Sequence, residues 1–181
     1  MVTVIDTGFE GLLLFEPKVF EDPRGYFFES FNDDVYAKAG LKAKFVQDNQ
    51  SLSQKAVLRG LHFQNPPYEQ GKLVRVIKGA VLDITLDIRK KSPTYGEHFS
   101  VELNETNKKC LYVPPGFAHG FSTLENNTIF FYKCTNYYNK NSEGAVLWND
   151  SDLNINWNIA NPTLSEKDSN SKPFKDLVSL F

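Results

Sequence analysis

The chain has 181 residues, with 20 Lys and Arg against 22 Asp and Glu and a formal net charge of -2. So even a balance sets up no field that would draw in nucleic acid or an acidic membrane, and no apolar run is long enough to span a bilayer. Hydrophobic residues at 41 % and charged residues at 23 % are ordinary values for a globular core, so residues 1–181 read as a single domain. No apolar leader opens the sequence, and Cys110 and Cys134 lie outside any CxxC pattern. The expected setting is a reducing cytoplasm, with both thiols free and serving as small core residues.

In chain order, Val2 to Phe15 alternates around a break at Gly8, predicting a strand, a turn and a second strand at Leu12-Leu13-Leu14-Phe15. Glu21-Asp22-Pro23-Arg24-Gly25 is a turn, because proline presets φ and glycine permits positive φ. Tyr26 to Phe31 then reads as a strand, and Asp34 to Ala39 as a short helix capped by Asn32 or Asp33 and stopped at Gly40. Phe45 to Ser51 is extended and rich in amides, which carry donors and acceptors for a base or sugar and equally suit a polar edge strand.

The stretch Val57-Leu58-Arg59-Gly60-Leu61-His62-Phe63-Gln64 is a short apolar run holding an arginine and a histidine. In a regular strand Arg59 and His62 would point to opposite faces. A bulge at Gly60 would bring them toward one mouth. The plain alternative is a core histidine beside an ion-paired arginine. Further strands are expected at Lys72 to Ile77, Ala80 to Ile88, Tyr95 to Leu103, Lys109 to Val113, after the Pro114-Pro115-Gly116 turn, at Ile129 to Tyr138, and at Val146-Leu147-Trp148. In Ala80 to Ile88, Leu82, Ile84, Leu86 and Ile88 take one face; Val81, Asp83, Thr85 and Asp87 take a more polar one. A helix is expected near Lys172 to Leu180. The whole predicts a mostly β jelly roll with short flanking helices.

No Gly-rich phosphate loop, HExxH or CxxC occurs. The jelly roll and the Pro-Pro-Gly-Phe-Ala-His119 turn resemble the cupins, but where metal-binding cupins carry a second histidine the sequence reads His62-Phe63-Gln64. The expectation is no metal and no cofactor. What remains is a set suited to proton transfer beside a carbonyl: His62 as general base, Tyr132 as a weak acid, Lys72 for an enolate oxygen, and Arg24, Arg59 and Lys167 for phosphate oxygens. The same set suits plain anion binding.

Seven motifs appear in order: ProArgGlyTyrPhePheGluSerPhe, PheValGlnAspAsnGlnSer, LeuArgGlyLeuHisPheGln, GlyLysLeuValArgVal, ProProGlyPheAlaHisGlyPhe, TyrLysCysThrAsnTyrTyr and LeuSerGluLysAsp. Together, over roughly Gly8 to Asp168, the chain resembles the dTDP-4-dehydrorhamnose 3,5-epimerase family. The resemblance implies a metal-free, cupin-like homodimer acting on dTDP-4-dehydro-6-deoxy-D-glucose, a dTDP-4-keto-6-deoxy sugar. It implies His62 as proton acceptor, Tyr132 as donor, Lys72 at the keto oxygen and Asp168 orienting the histidine. Arg59, Gln47, Asn49, His119, Glu143 and Lys167 would contact the nucleotide sugar, with Tyr138 stacking on thymine. Arg24, Phe27 and Glu29 match further binding positions, which the resemblance implies can be supplied across a dimer interface.

Each assignment has a plainer rival. Tyr132 also reads as a sheet tyrosine, Lys72 as a turn lysine, Glu143 as a surface carboxylate and Asp168 as a turn cap. Asp83 rivals Asp168 as the partner of His62. A mono-epimerase, a ketoisomerase and a silent nucleotide-sugar binder remain alternatives.

Overall fold

The computed structural model describes residues 1–181. Thirteen strands lie at Val2–Ile5 (β1), Leu13–Pro17 (β2), Phe20–Asp22 (β3), Gly25–Phe27 (β4), Gln47–Ser53 (β5), Leu58–Gln64 (β6), Lys72–Lys78 (β7), Ala80–Asp87 (β8), His98–Asn104 (β9), Cys110–Val113 (β10), Phe117–Thr123 (β11), Thr128–Cys134 (β12) and Glu143–Ala145 (β13). The helices are Asp33–Lys38 (α1) and Glu166–Ser169 (α2). A six-stranded sheet, β1-β2-β10-β7-β12-β5, faces a five-stranded sheet, β13-β6-β11-β8-β9. Every pairing in both sheets is antiparallel, giving the mostly β, cupin-like roll expected.

Between the sheets lies an apolar cluster of Leu12, Leu14, Val74, Val76, Val81, Leu103, Leu111, Val113, Phe117, Phe121 and Phe130. A second layer on the far side of the five-stranded sheet joins Leu58, Leu61, Phe63, Ile84, Leu86, Ile88 and Ala118 to Leu153 and Trp157 of the C-terminal segment. The third, behind the six-stranded sheet, seats Tyr36 of α1 on Phe15, Leu73, Cys110 and Tyr112. Helix α1 forms where the capping residues predict. The Asn32 side chain accepts from the Val35 N–H, and Gly40 ends the helix at φ +98°. Both cysteines are free and buried.

Three local expectations are corrected. The Tyr26–Phe31 strand shrinks to β4, which pairs only with β3 in an exposed hairpin. The strand expected at Val146–Trp148 falls instead at β13, where Ala145 is opposite His62. Beyond it Val146 bridges to Lys172, and the indole of Trp157 donates to the Trp148 carbonyl at 2.7 Å. Residues 172–180 carry only a 3-10 turn at Phe174–Asp176, because their backbone is bonded elsewhere. Leu147 N–H donates to Lys172 and Phe174 N–H to the Asp150 carboxylate. The alternation expected in β8 is present. Asp83, Thr85 and Asp87 are fully buried on the inner face of the roll, leaving Ile84, Leu86 and Ile88 to the outer apolar layer.

Candidate active site

One mouth of the roll opens on a cavity of about 210 Å³ lined by Gln50, Ser51, Arg59, His62, Lys72, His119, Gly120, Phe121, Phe130, Tyr132 and Asp168. Its floor is the aromatic pair Phe121 and Phe130, stacked with ring centroids 4.1 Å apart, which seals the polar space from the core beneath. His62, His119 and Arg59 come from the five-stranded sheet; Lys72, Phe130 and Tyr132 come from the six-stranded one. The cavity is therefore a gap between two walls, with imidazoles on one and a phenol and an ammonium on the other.

Arg59 and His62 reach the same space because β6 is bulged. His62 pairs with His119 and Arg59 with Phe121, so three steps on β6 match two on β11. The close approach is made by two glycines. A Cβ on Gly60, at φ +144°, would meet Gly120 Cα at 2.5 Å, and one on Gly120 would meet the Arg59 carbonyl oxygen at 2.7 Å. Gly120→Ala is expected to destabilise the fold by about 1–3 kcal/mol, the range for overpacking, and to lower turnover by displacing both Arg59 and His62. Thermal unfolding together with steady-state kinetics checks this; an unchanged midpoint and rate would show that the strands need not approach so closely.

His62 is one-third exposed and its Nε2 hydrogen-bonds Oδ1 of Asp168, whose side chain is 4 % exposed. Burial pushes the Asp168 carboxyl up. Hydrogen bonds from His62 and Ser165, with the charges of His62 and Lys167, outweigh that and hold it below the usual carboxylate range. Asp83 is not the partner of His62. Both of its oxygens lie at 2.9–3.0 Å from Nε2 of His119, and the pair is buried. Two His–Asp pairs thus stand side by side on adjacent strands, since His62 and His119 are direct cross-strand neighbours. No group of three or more His, Cys, Asp or Glu side chains is arranged to hold a metal ion.

On the opposite wall, burial raises the Tyr132 phenol, reinforced by Cys134 and eased by Arg59 and Asn49. Burial lowers the Lys72 ammonium, against the pull of Cys134, Asp83 and Glu143. The Lys72 nitrogen lies 6.0 Å from the Tyr132 ring centroid. Asn49 is opposite Tyr132 on the edge strand β5, and Gln47 Nε2 donates to Asn49 Oδ1 at 3.1 Å. Tyr138, more than half exposed, is tied to that pair by its backbone N–H, which donates to Gln47 Oε1 at 3.3 Å. Gln47, Asn49 and Tyr138 thus extend the second wall outward as a polar and aromatic rim.

The other expected binding residues lie outside the cavity. Glu143 and Lys167 form an ion pair at 2.8 Å in a neighbouring groove beside Phe63 and Asn65, joined to the cavity through α2. Arg24 pairs with Asp22, and Phe27 is 70 % exposed; both line a separate depression on the β3–β4 hairpin. Glu29 accepts from Asn32 Nδ2 at 2.8 Å. Sequence reasoning missed Gln50, Ser51, Phe121 and Phe130 as lining residues, Ser53, whose hydroxyl accepts from Arg59 Nε at 3.3 Å, and Ser165. Ser51 was detectable, because the period of two carries Gln47 and Asn49 onto it.

Known proteins resemble this chain along nearly its whole length. The family model described as dTDP-4-dehydrorhamnose 3,5-epimerase matches residues 6–176. A protein of that name from Shigella flexneri is 52 % identical over 176 residues, covering 97 % of both chains. The crystal structure of a dTDP-6-deoxy-D-glucose-3,5-epimerase from Legionella pneumophila, in complex with dTDP-4-keto-L-rhamnose, superposes with a TM-score of 0.93 at 43 % identity, covering 98 % of this chain and 95 % of that one. A 3'-monoepimerase from Streptomyces bikiniensis, in complex with dTDP-quinovose, superposes at 0.86 with 31 % identity, covering 91 % and 84 %. With a family model spanning nearly its whole length and relatives sharing about half its residues, this chain belongs to the dTDP-4-dehydrorhamnose 3,5-epimerase family.

Proposed function

We infer that this protein inverts C3 and C5 of dTDP-4-dehydro-6-deoxy-D-glucose, giving dTDP-4-dehydro-L-rhamnose. The observation that carries the reading is the placement of an imidazole–carboxylate pair and a phenol on facing walls of one cavity. Both carbons flank the C4 ketone, so one carbonyl acidifies both protons. His62, oriented by Asp168, removes a proton from one face. The electron pair moves into an enolate whose oxygen Lys72 stabilises where charge develops. Tyr132 delivers a proton to the opposite face, and inversion results. The oxidation state is unchanged overall, so the chemistry calls for no redox cofactor.

Arg59 and His119 contact the sugar diphosphate from the first wall, and Gln47, Asn49 and Tyr138 receive the nucleotide at the rim. Glu143 and Lys167 complete this binding surface. In a homodimer the exposed Arg24, Phe27 and Glu29 are supplied to the partner's site. No helix is long and apolar enough to cross a membrane, and the proposed setting is the cytoplasm.

The test is NMR of the product formed from dTDP-4-dehydro-6-deoxyglucose in deuterated water. Deuterium at both C3 and C5, each inverted, is expected. Label and inversion at one carbon would make the protein a mono-epimerase, and a displaced carbonyl a ketoisomerase. Tight dTDP binding without exchange would leave only a binding protein.

A further inference from the structure

Asp168 hydrogen-bonds two side chains. Oδ1 meets His62, and Oδ2 accepts from the Ser165 hydroxyl at 2.8 Å. The same hydroxyl oxygen caps α2 by accepting the Asp168 N–H at 3.1 Å. One serine therefore grips both the backbone and the carboxylate of a single residue. That double hold fixes which oxygen is left for the imidazole. It also gives Oδ2 a donor, so that with His62 at Oδ1 both oxygens are held in a way that favours the ionised form.

We propose that Ser165 is a positioning residue for proton abstraction, its hydroxyl keeping the Asp168 carboxylate charged and turned so that Oδ1 serves His62. The proposal rests on the reading of His62 as the base. Other charged or titratable groups surround the pair without hydrogen-bonding Asp168. Lys167 on α2 is occupied by Glu143 of β13, and His119 of β11 by Asp83 of β8. Arg59 of β6, Lys72 of β7 and Tyr132 of β12 face the cavity. Only His62 and Ser165 donate hydrogen bonds to the Asp168 carboxylate.

The experiment is the pH profile of kcat and KM for the full chain with Ser165→Ala, Ser165→Thr and Ser165→Asp, turning over dTDP-4-dehydro-6-deoxyglucose. Removing a donor to the Asp168 carboxylate makes the coupled Asp168–His62 pair hold a proton more tightly, so the acid limb, which reports that pair, must move to higher pH. For Ser165→Ala a shift of about half to one pH unit is expected, with kcat reduced roughly threefold to tenfold and KM little changed. Ser165→Thr restores both. Ser165→Asp retains a capping oxygen but cannot donate while ionised and adds a like charge, so its acid limb moves further than that of Ser165→Ala.

An unshifted acid limb in Ser165→Ala, or a wild-type profile in Ser165→Asp, would reduce Ser165 to a helix cap and overturn the proposal. If Ser165→Ala loses the α2 turn, the contrast between the Thr and Asp variants decides by the same limb. His62→Ala in parallel separates the two readings. Normal turnover there removes the base itself, whereas an inactive His62→Ala beside an unshifted Ser165→Ala removes only the serine.

Discussion

Replacing His62 by alanine is expected to lower turnover by about two to four powers of ten, the scale of a lost general base. Nothing else on that wall takes over. The neighbouring imidazole of His119 already has its Nε2 against both oxygens of Asp83, and it is nearly buried. Asp168 sits behind His62, its carboxylate spent on the imidazole and on Ser165. Affinity for dTDP should move much less, because Gln47, Asn49 and Tyr138 form a rim built on the opposite sheet. Steady-state kinetics with the keto sugar and calorimetry with dTDP read the two quantities separately. A variant turning over within a few-fold of wild type would remove His62 from the chemistry.

Tyr132→Phe is expected to separate two events that usually travel together. Inversion should fall by about two to three powers of ten, as for loss of a positioned acid. Exchange of substrate protons with deuterated water should survive far better. His62 still removes the proton, and solvent still relabels the imidazole. Only delivery to the far face is lost, so the label returns to the face it left. Burial raises the phenol above its ordinary range, so it stays protonated at neutral pH and yields its proton only to a strongly basic acceptor such as an enolate carbon. Because it lies on the sheet facing His62, one residue cannot substitute for the other. Time courses by NMR, following label and configuration together, check this; parallel loss of exchange and inversion would argue against a donor on the opposite face.

The roll itself was legible because strands bury one face and repeat every two residues, a local pattern that survives in a single sequence. The first helix was legible to within a residue because its cap is a local hydrogen bond. Contacts set by the third dimension were not. Asp83 reads as a polar-face carboxylate until β11 is laid against β8 and places His119 beside it. Phe121 and Phe130 are two aromatics among many until the sheets close and stack them as the cavity floor. Four residues are too few for a periodic signal, so α2 was invisible, although Ser165 three positions before Asp168 is a capping pattern. Glu143 and Lys167 were named singly for binding, and their mutual ion pair depends on where a loop and a short helix meet.

The supernumerary residue in β6 also bears on how faithfully the His62 imidazole is aimed. Were the strand to re-pair without it, every side chain beyond Gly60 would turn inside out. Leu61 and Phe63, now in the outer apolar layer, would swing into the polar space, and His62 would be thrust among Ile84, Leu86 and Trp157. At about 1.5–3 kcal/mol for each large apolar side chain stripped of its packing, such a misthreaded strand is suppressed by the same force that folds the chain. The protein therefore has no cheap route to a folded state with its imidazole facing the wrong way: folding the strand and aiming His62 into the cavity are one event.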